Sequence, residues 1–244
     1  MQERINKLGL EATNNLYGYM HSMSPIGQAF VDYSQNKPNK PMLDIGCAYG
    51  ITTIPCLENG VSVIACDIDS YHLEELKKRA PKRSLSSLKI ICKHFPNDLE
   101  LGENSVSAVI ISHVLSFLTK KELLDGFNKL SHWVCKGGKI FILNYTTYHK
   151  TLSSFIPDYE KKLKKRKLFA GEIEDKRKYS KHKLINTSVP NRLMLFDKET
   201  LTFLLESNDF QIEYMEYIGG TKIGVPQPFC LDGKEWVGCV GVKK

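Results

Sequence analysis

Short apolar runs that alternate with helix-forming segments set the tightest limit on how this chain can fold. "PMLDIG", "VSVIACDID", "LKIICKHF", "VSAVIISHV" and "GGKIFILNY" each read as a strand. "ITTIPCLENG" reads as a short helix stopped by Gly60. "SYHLEELKKRA" reads as a helix with Leu73, Leu76 and Ala80 on one face, supported by the Glu74–Lys78 and Glu75–Arg79 pairs. "TKKELLDGFNKLSHWV" reads as a helix capped by Thr119. Strand–helix alternation implies right-handed crossovers and a parallel sheet. The strands are near-continuous apolar runs, as expected when helices cover both faces. After an irregular stretch from Thr146 to Arg192 come a helix, "DKETLTFLLESNDF", and two strands, "QIEYMEYIG" and "EWVGCVGVKK". Only a loop separates those two, so they can pair antiparallel but cannot form a parallel crossover. The expected architecture is α/β, a seven-stranded, mostly parallel sheet with an antiparallel edge, an antiparallel last strand and helices on both faces.

The 244 residues are expected to form a single domain: a helical cap over 1–40, a core over 41–146, a substrate-side, lid-like insertion over 147–195, and the rest of the core over 196–244. The N-terminal segment "NNLYGYMHSMSPIGQAFVDYSQ" suggests one or two helices broken near Ser24-Pro25. A hydrophobic content of 42% supports a sizeable core. No apolar run approaches the length of a membrane span, and "MQERINKLGLEATNN" lacks the apolar stretch of a secretory signal. The seven cysteines form no C-x-x-C pair and several lie in apolar runs. Buried reduced thiols in a cytoplasmic protein, without a metal site, are the expectation.

Function points to the turn after the first strand. In open α/β sheets ligands bind beyond the carboxyl ends of the strands. In Gly46-Cys47-Ala48-Tyr49-Gly50 the glycines let the backbone approach a ligand, and Asp67 follows at the end of the second strand, where a carboxylate suits a ribose diol. The third glycine of G-x-G-x-x-G is missing, and so is a P-loop lysine. Asp44, two residues before the turn, is poorly suited to a pyrophosphate and better suited to a ligand with positive charge. Asp44 could instead cap a neighbouring helix or pair with a lysine, and Asp69 could compete for the role of Asp67.

As a set, "LDIGCAYG", "VIACDID", "KHF", "SAVIISHVLSFL" and "GGKIFIL" resemble the successive motifs of class I S-adenosylmethionine-dependent methyltransferases. The likeness is close over about residues 41 to 145 and extends to the strand-helix-strand-strand ending. It implies a Rossmann-like sheet and S-adenosyl-L-methionine as cofactor. It also implies that Asp44, Gly46, Cys47 and Gly50 lie under the methionine moiety, Asp67 at the ribose, Ile68 against adenine, and His94 and Phe95 at the adenine edge. His113 would face cofactor or substrate. Three departures stand out: Ala48 replaces a frequent glycine, His94 stands where an acid is common, and Pro55 requires its helix to start near Thr52 or Thr53.

Methyl transfer from a sulfonium needs alignment and, for a protonated acceptor, a base. Candidates near strand ends are His113, Tyr145 and His149. Tyr17, Tyr19 and Tyr148 are expected on the substrate side. A small-molecule acceptor is expected first. The net charge of +7 is concentrated in one block: residues 161–183 hold eleven Lys or Arg against Glu172, Glu174 and Asp175, a local charge of +8. That block is either a solvated face or an attraction for RNA or an acidic protein. A nicotinamide-dependent oxidoreductase and a non-catalytic binding module on the same fold remain as readings of another class.

Overall fold

A computed structural model describes residues 13, 19–20, 22–182, 186–187 and 189–244. Its main sheet has seven strands: β1 (Met42–Ile45), β2 (Val63–Asp67), β3 (Leu88–Cys92), β4 (Val106–Ser112), β5 (Val134–Tyr145), β8 (Phe210–Ile218) and β9 (Trp236–Lys243). They lie in the order β3-β2-β1-β4-β5-β9-β8. The pairings from β3 through β5 are parallel, and β9 is antiparallel to both β5 and β8. The order reverses between β1 and β4, the place where open α/β sheets take ligands.

The sheet is the mostly parallel one with an antiparallel edge that the sequence predicts, with β8 at the border and the last strand, β9, inside it. The cause lies in composition. Trp236 to Gly241 of β9 are buried, which suits a strand flanked on both sides. In β8, exposed Gln211, Glu213, Tyr214 and Glu216 share the strand with apolar residues, a pattern tolerated only at a border. β3, at the other border, is likewise only half-buried rather than a continuous buried run.

Helices cover both faces. α1 (Pro25–Ser34) begins at Ser24, whose Oγ accepts from the Gly27 N–H at 2.9 Å, with Pro25 in the first turn. Ser24-Pro25 therefore starts a helix; the segment expected before it lies largely outside the described residues. α1 packs Ile26, Phe30 and Val31 on the sheet face, with Phe30 edge-on to Phe141 at 5.4 Å. At the strand ends, Gly27 of α1 and the described residues Tyr19, Met20, Ser22, Met23 and Ser24 before it line a cavity.

α2 (Thr53–Glu58) starts late, so Pro55 falls within its first turn, where the missing N–H costs nothing. α3 (Ser70–Arg79) is capped by Asp69, which accepts from the Tyr71 N–H at 2.9 Å. α4 (Lys120–Trp133) opens with a capping box between Thr119 and Glu122 and buries Leu123, Phe127, Leu130 and Trp133. Each of those side chains contributes about 2 kcal/mol by leaving water. α5 (Ile156–Lys164) belongs to the insertion, together with a two-residue ribbon of β6 (Glu172–Ile173) and β7 (Leu193–Met194). The insertion has its own apolar cluster around Leu152, Phe155, Tyr159 and Ile173. α6 (Lys198–Glu206) is capped by Asp197 and turns Leu201, Leu204 and Leu205 inward, as its spacing predicts.

The loop between β8 and β9 is organised by a buried acid. The Glu235 carboxylate accepts from the backbone N–H of Leu231, Asp232 and Gly233 on one oxygen and of Gly220 on the other. Burial pushes its pKa up, and the four N–H donors outweigh that and hold it below the usual carboxylate range. A lowered pKa in the folded state gives stability that is present above the unfolded value and lost as pH falls through the folded one. Glu235→Gln turns an amide NH2 towards backbone donors and is expected to cost about 2–3 kcal/mol at pH 7. Urea unfolding at pH 7 and pH 3.5 checks this: the difference between variant and parent narrows at the lower pH.

Candidate functional site

A cavity of about 340 Å3 opens beyond the carboxyl ends of β1, β2, β4 and β5. Its volume is in the range of small-molecule and cofactor sites. The turn from β1 into α2 forms one wall. Gly46 and Gly50 have φ of +75° and +84°. A Cβ on Gly46 would stand 2.2 Å from Val114 Cγ2, and one on Gly50 would stand 2.2 Å from Leu76 Cδ1. Both positions therefore require glycine, for conformation and for space.

Ala48 lies between them with φ +42°, a conformation that costs an L-residue about 1–2 kcal/mol. Its N–H donates to Asp67 Oδ2 at 2.9 Å, which fixes the strained residue. The Asp67 carboxylate, 7% exposed, receives two further donors on Oδ1: the Asp69 N–H at 2.9 Å and His72 Nδ1 at 3.1 Å. Asp69 thus serves as the cap of α3 and as a donor to Asp67, leaving Asp67 as the acid that lines the cavity with its side chain held from three sides.

Asp44 is 3% exposed and also lines the cavity. Its Oδ2 accepts from the hydroxyls of Thr52 at 2.6 Å and Thr53 at 2.7 Å. The acid thus ties β1 to the start of α2. Burial pushes its pKa up to about 6, against the pull of the two threonines and with a further push from Asp67. Two buried carboxylates on one wall give this cavity a negative field. Cys47 is buried beside them. Burial, then the charges of Asp44 and Asp67, pushes its thiol well above the ordinary range, so it is a filler and not a nucleophile.

Next to Asp67, Ile68 is 41% exposed and Ile51 38% exposed, leaving apolar surface open to a ligand. His94 and Phe95 line the same end, with Phe95 also packed edge-on to Trp133 at 6.3 Å. Phe95 therefore serves the core as well as the cavity.

The ends of β4 and β5 supply the other wall. His113 has φ +64°, and its N–H donates to the Leu143 carbonyl at 2.7 Å. Its ring lies 4.9 Å from that of Tyr145, and both line the cavity. Burial pushes the Tyr145 phenol far up, so it stays protonated at neutral pH. The structure places His149 behind Tyr145, 6.2 Å between ring centroids and outside the cavity lining. Its Nδ1 lies 2.9 Å from Thr151 Oγ1, and burial pulls its pKa down to about 4.

Tyr148 is also away from the cavity, each of its ring contacts with Tyr159 and Tyr217 at 6.2 Å. Both follow the end of β5, one step past which the Thr146 N–H still donates to the Glu235 carbonyl. Tyr19 lines the cavity, whereas Tyr17 lies outside the described residues. Pro190 is what the insertion adds to the lining among the described residues. Sequence reasoning missed His72, Thr52 and Thr53. The signal for His72 was its place five residues after Asp67, on the inward face it shares with Leu73 and Leu76.

Residues 42–138 match the family model described as a methyltransferase domain. The chain is 26% identical over 117 residues to the tRNA N(3)-cytidine methyltransferase of Bos taurus, a match spanning 44% of this chain and 30% of that protein. It is 25% identical over 170 residues to the ubiquinone biosynthesis O-methyltransferase of Pelagibacter ubique, spanning 63% and 66% respectively. The chain spans about a third of the length of the tRNA-modifying relatives it matches. A solved SAM-dependent methyltransferase from Methanosarcina mazei shares the fold, with a TM-score of 0.63 at 15% identity over 91% of this chain and 98% of that one.

The raised pKa of Asp44 has a measurable consequence. A folded-state pKa above the unfolded value gives stability that is present below pH 4 and lost as pH rises through about 6. Asp44→Asn keeps an acceptor for the two threonines and removes that loss. Its expected effect is a gain of up to roughly 3 kcal/mol at pH 7.5 and almost none at pH 4, read from urea unfolding.

Proposed function

We propose that this chain, which carries a class I S-adenosylmethionine-dependent methyltransferase domain, transfers the methyl group of S-adenosyl-L-methionine to a small-molecule acceptor. The observation that carries the reading is the pair of buried carboxylates, Asp44 and Asp67, on one wall of the cavity. The cofactor has two cationic centres and a ribose diol, and these residues fit both. Asp44 offers negative charge beside the glycine turn. Asp67 offers an acceptor to the ribose. Ile51 and Ile68 leave apolar surface for adenine, with His94 and Phe95 at its edge. A pyrophosphate at the glycine turn would meet Asp44 with repulsion, which disfavours a nicotinamide cofactor. The cofactor supplies an electrophilic methyl on sulfur, so the protein needs only to hold, align and desolvate.

The remaining work falls to residues at the other end. His113 stands at the cavity beside Tyr145 and is placed to take a proton from a hydroxyl or amine acceptor. Tyr145 keeps its proton and orients the acceptor by donating to it. Phe117, Leu118, Leu143 and Pro190 make that end apolar and, with Tyr19, Met20 and Met23, keep water out. Apolar walls of this kind favour a small organic acceptor.

A second reading, RNA or protein as acceptor, rests on the basic block. Lys161, Lys164, Lys165, Arg166 and Lys167 are exposed at the end of α5, and the tRNA-modifying relatives lend it weight. The block is less uniform than its sequence suggests. Lys176 is fully buried against Asn186 and Asn191, and burial pulls its pKa down.

Calorimetry with S-adenosyl-L-methionine tests the cofactor. Affinity is expected to be flat above pH 7 and to weaken by about tenfold per pH unit below 6, as Asp44 takes a proton. Asp67→Ala is expected to weaken binding by about tenfold or more; an unchanged affinity sinks the assignment of Asp67. Incubation of an extract with the methyl-labelled cofactor, fractionated into metabolites, RNA and protein, separates the two acceptor readings.

A further inference from the structure

The contacts around Asp67 restrict how it can meet a ribose. A carboxylate has about four lone-pair sites, two on each oxygen. Oδ1 already receives the Asp69 N–H at 2.9 Å and His72 Nδ1 at 3.1 Å. Oδ2 receives the Ala48 N–H at 2.9 Å and has one site left. The carboxylate only accepts, so Nδ1 of His72 carries the proton in this contact.

The His72 ring is fixed on its other sides. It is 3% exposed, and Tyr49 packs against it with 5.0 Å between centroids at 79°. The Arg79 guanidinium lies 4.6 Å over the Tyr49 ring. Asp69 Oδ2 stands 3.8 Å from His72 Nε2. Burial disfavours the imidazolium, and the hydrogen bond and charge of Asp67, then the charge of Asp69 and the Thr13 backbone, outweigh it and raise its pKa. His72 also lines the cavity, so this is a packed side chain at the ligand wall rather than a remote one.

We propose that His72 is a positioning residue for cofactor recognition: by occupying Oδ1 of Asp67 it leaves Oδ2 to accept one ribose hydroxyl, so the two hydroxyls of the diol are read unequally. This rests on S-adenosyl-L-methionine being the cofactor. It narrows the expectation that Asp67 accepts from both hydroxyls. The helix α3 thereby sets ligand selectivity through a residue whose ring is seated by the glycine turn.

Titration calorimetry of the full chain with S-adenosylhomocysteine and its 2′-deoxy and 3′-deoxy counterparts tests the proposal. The wild-type protein is expected to lose about tenfold in affinity for one deoxy ligand and much less for the other. His72→Phe keeps a ring against Tyr49 but has no donor, and the gap between the two deoxy ligands should close. His72→Asn puts an amide N–H near the place of Nδ1 and should restore the gap. Equal losses on both deoxy ligands in the wild-type protein overturn the proposal, and they do so even if the Phe variant fails to fold. A His72→Phe protein that binds all three ligands more weakly with the gap intact also overturns it, assigning His72 a purely structural role. Failure of the wild-type protein to bind S-adenosylhomocysteine at all overturns the cofactor reading, and this inference with it.

Discussion

The hydrogen bonds converging on Asp67 join three elements that would otherwise meet only by packing. One oxygen holds the turn after β1 through Ala48, and the other holds the start of α3 through Asp69 and His72. The carboxylate itself is the last residue of β2. A buried charge is stable only when donors replace its water, and here the donors come from the very segments that shape the cavity. In its strained conformation Ala48 presents its N–H to the same acid. Asp44 repeats the device one strand away with the two threonine hydroxyls. Each acid organises backbone and in doing so stays aimed at the cavity.

The two acids differ in what they cost. Asp67 is met by three donors, two of them backbone amides. Asp44 is met by two hydroxyls and faces Asp67, and burial leaves it with a pKa close to 6. Its charge is thus less fully compensated than that of its neighbour. Strain and uncompensated charge of this kind collect at functional sites, and this cavity holds both within five residues of chain.

Most of the sheet was legible because its strands are local and apolar. β1, β2, β4 and the helices α2, α3, α4 and α6 lie where periodicity, Gly60, Thr119 and the leucine spacing put them. The position of β9 was not legible, since strand order depends on contacts between residues far apart in sequence. The charges on β8 carried the clue, because an interior strand cannot hold them. At the site, Asp44, Gly46, Cys47, Asp67, Ile68, His94, Phe95, His113 and Tyr145 all line one cavity, whereas Gly50 shapes the turn from outside the lining. His149 and Tyr148 do not, because they lie beyond the end of β5 and pack against Trp236, Tyr159 and Tyr217, partners distant in sequence. His72 escaped notice because an inward-facing histidine on an amphipathic helix reads as core until the acid beside it is seen.

The interior place of β9 also bears on how the chain avoids sticking to itself as it forms. β8 is made first, yet the strand it pairs with, β9, comes later in the chain. Until then one long border of β8 lacks a ladder, and afterwards its other border stays open. Glu213 and Glu216 stand on this strand, and in the finished fold they engage Lys139 at 2.6 Å and Lys198 at 3.0 Å. Before those lysines are in place the same acids repel a second copy of the strand. The side chains that send β8 to the border thus act as gatekeepers against intermolecular sheet growth while it waits for its partner.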